Sequence, residues 1–332
     1  MRKVNATRQL SAAAWLALAA AFIVMAGQFA VAKRGLSAGL TAYDIVALRF
    51  LGAAIPAAVI LLRRGARDLG GVGYGRGAFL AFIAGSPYAL LMYVALRFAP
   101  AAHGAMLIPG VGIVVATVIG AAWVGEHHGR GRYVGILIVL VGLSVLGAGA
   151  AYSSPLTGVG DLLLVVGGIE WGLFTLVVRR WQLDALATAA AISLLSLVYL
   201  PVYLLVPHRW VFAVPLAELL LQAGYHGVLL TVLAFAAYAF AVRRLGAGTA
   251  AIATAAIPVL GTVLAIVLVR ESPSLTTWIG LVAVCLGIAV ANASRRAGVA
   301  QVAASVQTVA STPMSHADRH VWGKEAWPSR RP

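Results

Sequence analysis

Glu170 is the residue whose type and setting carry the most chemistry in this chain. It lies within a long apolar run, between Gly167-Gly168 and Trp171, with no Lys or Arg within eight positions. A carboxylate at bilayer depth costs about 2.5–3.5 kcal/mol on insertion scales, so it must face other helices or a cavity. Such a group suits proton uptake and release, or the binding of a substrate ammonium. A structural ion pair with Arg49 is the competing reading. Arg49 stands about seven residues into another apolar run and can grip a substrate carboxylate through two parallel hydrogen bonds. The alternative is that its long side chain snorkels to the interface. Asp44 is a poor partner for it, because i−5 spacing sets the two well apart around a helix. Gln28 lies one turn after Val24, the residue that matches Glu170 at an offset of 146 positions, so both can face one cavity. Its alternative is an amide bonded to a neighbouring helix. Tyr88, Tyr93, Trp171, Phe174, Tyr225 and Tyr238 offer aromatic faces suited to apolar or cationic cargo, although packing and interfacial belts are the commoner use of such residues.

Other polar groups read as structural. His103 falls near a span end and is expected to be solvated. Glu126, His127 and His128 are adjacent loop residues that cannot all aim at one metal, and His316 and His320 lack Cys or acidic ligands in register. No metal site, cofactor or catalytic constellation is expected. The single Cys285 allows no internal disulfide.

The elements that must position these residues follow from composition. Hydrophobic residues make up 61% of the 332 positions and charged residues only 11%. A soluble domain carries roughly 25% charged residues, so lipid must cover most of this surface. Spans need about 20 apolar residues each, and ten candidates appear, at about 12–32, 43–62, 77–96, 102–124, 132–150, 159–178, 187–206, 216–240, 249–269 and 275–293. The net charge of +15 does not point to nucleic acid, since the cations sit between the apolar runs or in the tail. With both termini in the cytoplasm, 19 of the 25 Lys and Arg fall inside and five outside, Arg49 lying within a span. The first apolar run imitates a signal peptide ending at Ala30-Val31-Ala32. Its length, and its counterpart at the start of the second half, favour a retained first helix.

The chain reads as one five-helix unit written twice, over 12–149 and 157–293. Pro56 matches Pro201, Glu126 matches Glu271, Gly135 matches Gly280 and Gly142 matches Gly287, each at 145 positions. An odd number of crossings per unit inverts the second copy, which is the plan of many secondary transporters. The predicted fold is therefore an all-α polytopic membrane protein with ten helices in two inverted repeats. Glu126 and Glu271 are expected to cap or anchor helix ends. Residues 294–332 read as a disordered cytoplasmic tail. Pro56, Pro87, Pro109, Pro201 and Pro258 lie inside spans, where each removes a backbone donor and kinks its helix, shaping a central cavity.

Several ordered motifs resemble the EamA-type family of the drug/metabolite transporter superfamily. They are "GDLLLVVGGIEWGLFTLVVRRW" (160–181), "LRFLGAAIPAAVILL" (48–62), "AAIPVLGTVLAIVLVRE" (255–271) and "WVGEHHGRGRYVGILIVLVGLSVLG" (123–147). The resemblance covers about 12–293. It implies two inverted five-helix halves moving small metabolites or amino acids, often outward. The family's fourth-helix Pro position falls at Ile113, with Pro109 one turn earlier. Arg49 has no partner in the matching "AISLLSLVYLP" (191–201). In the small multidrug-resistance branch of that superfamily a membrane Glu binds both substrate and protons, which adds weight to Glu170 by analogy.

The expected function is secondary transport of amino acids, amines or related compounds across the cytoplasmic (inner) membrane by alternating access. Export and proton coupling through Glu170 are part of that expectation. Arg49 alone is thin support for a multiply anionic cargo, so a neutral or cationic one is favoured. A membrane-embedded enzyme is the alternative, against which stand ten scattered acidic residues with no nucleophile–His–acid arrangement. A non-transporting partner protein would need a larger soluble segment. Partners are then a small-molecule substrate, the bilayer and protons. The sequence leaves monomer and homodimer equally open.

Overall fold

A computed structural model describes residues 2–125, 128–205 and 213–311. Among the described residues ten helices are long and apolar enough to cross a membrane: α1 (Ala12–Ser37), α2 (Ala42–Arg64), α3 (Tyr74–Phe98), α4 (Ala101–Trp123), α5 (Arg130–Tyr152), α6 (Pro155–Arg180), α7 (Ala185–Leu205), α8 (Leu216–Leu245), α9 (Gly248–Val269) and α10 (Leu275–Ala293). Helices satisfy every interior backbone group within the segment, which lipid demands. Their ends carry local signals. Thr41 and Asp44 form a capping box at the start of α2. Asp184 caps α7 by accepting from Ala187 N at 2.8 Å, and Gly125 ends α4 in the left-handed conformation.

The helix neighbours reveal the inverted repeat. The largest contacts between the halves, and several within them, have counterparts when every helix is replaced by the one five places away. α1 packs on α9 as α6 packs on α4, α1 on α8 as α6 on α3, and α2 on α8 as α7 on α3. Three further pairs, α2 with α7, α4 with α9 and α5 with α10, map onto themselves. The α5–α10 crossing settles direction. Gly135 meets the Gly287 carbonyl and Gly142 the Gly280 carbonyl, with no room for a Cβ at any of these places. Corresponding helices therefore run antiparallel, and the glycines that repeat at 145 positions are the ones that let them touch.

Four spans depart from a plain α-helix. α3 breaks at Gly85, where a Cβ would collide with the Ser196 hydroxyl and Ser86 N donates to that hydroxyl at 3.2 Å. Pro87 opens its second segment. α7 passes through a 3₁₀ turn at Ser196–Val198 just before Pro201. α8 is π-helical over Ala223–Ala234, and α9 is interrupted at Thr254-Ala255, ahead of Pro258. Pro56 and Pro109 sit in helices that continue past them. The last helix differs from the expected disordered tail, because it runs beyond Ala293 to Ser311. The alanine-rich 297–311 stretch has the composition that favours helix even without a packing face. Residues 312–332, with His316 and His320, lie outside the described residues, as do Glu126 and His127 of the loop cluster.

Candidate functional site

Two adjoining cavities lie between the halves. The first, with an empty volume of ≈ 650 Å³, is walled by Gln28 and Phe29 of α1, Arg49 of α2, Tyr88 of α3, Pro109 of α4, Trp171 of α6 and Phe235 of α8, among others. The second, ≈ 600 Å³, shares Arg49, Ala84, Trp171 and Phe235 with it. It adds Phe174 and Val178 near the end of α6 and Thr188, Ile192 and Ser193 near the start of α7. The combined space thus runs from the centre toward the end of the bundle where α6 stops and α7 starts. Its wall is mostly apolar, with a few convergent polar groups, the usual make-up of a small-molecule site.

Arg49 joins the two cavities. Its Nη1 donates to the Tyr93 hydroxyl at 3.1 Å, while its Nε is buried without a hydrogen-bond partner. The Tyr93 hydroxyl lies 3.2 Å from Nδ1 of His226, and both residues are fully buried. Tyr88 stacks on Trp171 at 6.3 Å between centroids, and Trp171 leans on Phe174 at 5.2 Å. Glu170 precedes that aromatic wall by one residue. It is half-buried, and its Oε2 is enclosed with no hydrogen-bond partner. Among the described residues Glu170 and Arg49 form no ion pair; the two act electrostatically on Tyr88, which lies near both. Thr188 Oγ1 on the second cavity is likewise buried and unpartnered. Buried polar atoms left without partners are rare in native proteins and call for a ligand, an ion or water.

The opposite end of the bundle is tied shut across the halves. Nδ1 of His103 at the start of α4 lies 2.8 and 3.1 Å from the Asp161 carboxylate of α6, both side chains buried. Glu271, just after α9, accepts from Ala101 N at 2.6 Å and Ala102 N at 3.1 Å, capping α4. Arg34 of α1 pairs with the buried Glu218 of α8 at 3.0 Å, and Gln222 donates to Glu218 and to the Val31 carbonyl, each at 2.8 Å. Tyr203 of α7 donates to Asp44 of α2 at 2.7 Å.

A family model described as "EamA-like transporter family" matches residues 11–148 and 158–293, one copy on each half. The chain belongs to the EamA-like transporter family. It is 29% identical over 182 residues to the uncharacterised transporter YetK of Bacillus subtilis, 53% of this chain and 55% of that one. It is 32% identical over 191 residues to an uncharacterised protein of Pseudomonas aeruginosa, 57% of this chain and 63% of that one. The matched stretches thus span little more than half the length of these relatives. A crystal structure covering 84% of this chain and 97% of its own superposes with a TM-score of 0.56 at 21% identity, a likeness of fold alone.

In this EamA-like chain the structure gathers Gln28, Arg49, Tyr88, Trp171 and Pro109 on one cavity, with Tyr93 behind Arg49 and Glu170 beside Trp171. Gln28 bonds within its own helix, donating to the Met25 carbonyl at 2.9 Å, so its amide does not tie α1 to a neighbour. Tyr238 is not brought there. It packs on Phe22 of α1 at 6.1 Å in a separate cluster with Leu18 and Val242, since one turn of an apolar helix looks like the next until its neighbours are known. His103, expected to be solvated, is buried. Its position near a span end is shared by the ends of α6 and α10, which close over it. Glu271 caps a helix as expected, although the helix is α4 and not its own. Sequence reasoning missed His226, Thr188 and Ser193. His226 was findable as the one His deep inside α8; small hydroxyls inside helices give no such signal.

Proposed function

We propose that this protein is a secondary transporter that exports small metabolites, amino acids and amines among them, across the cytoplasmic membrane by alternating access. One observation carries the reading: a polar-studded cavity at the meeting of two inverted repeats approaches one end of the bundle while hydrogen bonds across the halves close the other. Rocking of one half against the other around such a site exchanges which end is closed. The excess of Lys and Arg at the cavity end, where α6 ends in Arg179-Arg180 and α2 in Arg63-Arg64, supports placing that end and both termini in the cytoplasm. A cavity loaded from the cytoplasm suits export.

The cargo follows from the wall and from Glu170, which adjoins the wall residue Trp171. Arg49 supplies a cation for a carboxylate, the Tyr88–Trp171–Phe174 surface an apolar and cation-attracting face, and Glu170 an anion for an ammonium. An amino-acid zwitterion satisfies all three without the cluster of cations that a phosphorylated cargo needs. Glu170 is also the coupling group: a lone carboxylate at bilayer depth releases a proton when a cationic ammonium or water reaches it.

Transport in proteoliposomes under an imposed pH gradient tests this, with wild type beside Glu170→Gln and a panel of amino acids, amines, organic cations and sugar phosphates. The expected result is movement of amino acids or amines coupled to protons, with coupling abolished in Glu170→Gln. Unchanged coupled transport in the mutant makes Glu170 structural, and robust sugar-phosphate transport overturns the cargo class.

A further inference from the structure

The hydrogen-bond chain Arg49–Tyr93–His226 has a fixed direction at its first link. A guanidinium has donors and no acceptor, so the Tyr93 oxygen must accept from Arg49 Nη1. The Tyr93 hydroxyl is then tied on its other side to Nδ1 of His226, 3.2 Å away, whose role follows the ring tautomer. His226 is held from both sides. Its ring meets Tyr93 edge-on at 5.4 Å and Tyr225 at 5.5 Å, and the Tyr225 hydroxyl is anchored on the Val24 carbonyl at 2.9 Å. Its backbone belongs to the π-helical part of α8, which lies against α2 where Gly227 and Gly52 leave no room for side chains. The Thr231 hydroxyl takes up the His226 carbonyl at 2.9 Å.

With Nη1 engaged, the other edge of the guanidinium, bearing Nε, is left without a protein partner on a residue that lines both cavities. That edge offers two parallel donors, the geometry that grips a carboxylate side-on. We infer that His226, acting through Tyr93, is a positioning residue that turns the Nε edge of Arg49 toward the carboxylate of the transported solute. The inference rests on the amino-acid cargo proposed above and names the residues behind its selectivity. It also gives the π-helical stretch of α8 a role. That stretch delivers His226 to Arg49 and, through Leu230 and Thr231, part of the cavity wall.

Binding of L-leucine and of isopentylamine, the same molecule without its carboxylate, tests this by tryptophan fluorescence of the purified full-length protein. Wild type is expected to prefer leucine, and Arg49→Gln to erase the preference. Tyr93→Phe, which removes a hydrogen bond to the charged Arg49, should reduce the preference about tenfold, and His226→Leu, which releases Tyr93 from its anchor, by about as much. Their double variant should be no worse than either alone, because both break one chain. His226→Gln, whose amide can accept from Tyr93, should restore most of the preference and covers the case in which His226→Leu fails to fold. A preference that survives in Tyr93→Phe and His226→Leu, or losses that add in the double variant, overturn the positioning role alone. A wild type that binds both probes equally removes the carboxylate-binding reading and this inference with it.

Discussion

The two ends of the bundle are built from the same repeated helices, yet they are held together differently. At one end, side chains reach across the halves with at least one partner of each contact buried or half-buried. His103 meets Asp161, Glu271 caps α4, Arg34 pairs with Glu218 and Tyr203 donates to Asp44. At the other, Arg64 of α2 and Asp184 of α7 pair between two exposed side chains, close to where the second cavity runs between α6 and α7. A buried pair is expensive to break because each partner is left desolvated, whereas an exposed pair exchanges readily with water. The pseudo-symmetric fold is therefore poised asymmetrically, with a costly closure at one end and a cheap one at the other.

Removing the strongest tie should change that contrast most. Asp161→Ala leaves His103 buried without its acid and is expected to cost about 3 kcal/mol, read as a lowered thermal midpoint in detergent. It should also let a membrane-impermeant reagent reach the cavity from the tied end. Glu271→Ala uncaps α4, and the two freed backbone donors correspond to about 1–2 kcal/mol in the same melt. The smallest effect belongs to the exposed pair. Arg64→Ala should shift stability by less than about 0.5 kcal/mol and leave accessibility unchanged. If Arg64→Ala proves as disruptive as Asp161→Ala, the contrast between the ends is wrong.

Much of this arrangement is legible in the sequence. The repeat at 145 positions yields the inverted architecture, and Gly135, Gly142, Gly280 and Gly287 turn out to be the residues at which the repeats touch. Arg49, Gln28, Tyr88 and Trp171 are recognisable because a polar or aromatic group in an apolar run needs a reason to be there. What is not legible depends on which side of a helix faces in. Tyr238 and Tyr88 look equivalent along the chain, but only Tyr88 meets the cavity. His103 reads as solvated near a span end on its own, and becomes a buried partner of Asp161 only when α4 and α6 pack. The π-helical stretch of α8 shifts the side-chain rotation that an ordinary helical wheel assumes, so the presence of His226 is legible in the sequence but its facing toward Tyr93 is not.

The most direct test of the account uses the fact that the chain holds a single cysteine. Replacing Cys285 with Ser and placing a cysteine at Ala189, on the wall of the second cavity, gives one reporter of which end is open. A membrane-impermeant maleimide applied to each side of oriented vesicles should modify it far faster from the cytoplasmic side, and solute should slow that reaction. Faster modification from the outer side, or equal rates from both sides, would contradict a cavity that opens at the α6–α7 end and is closed at the other.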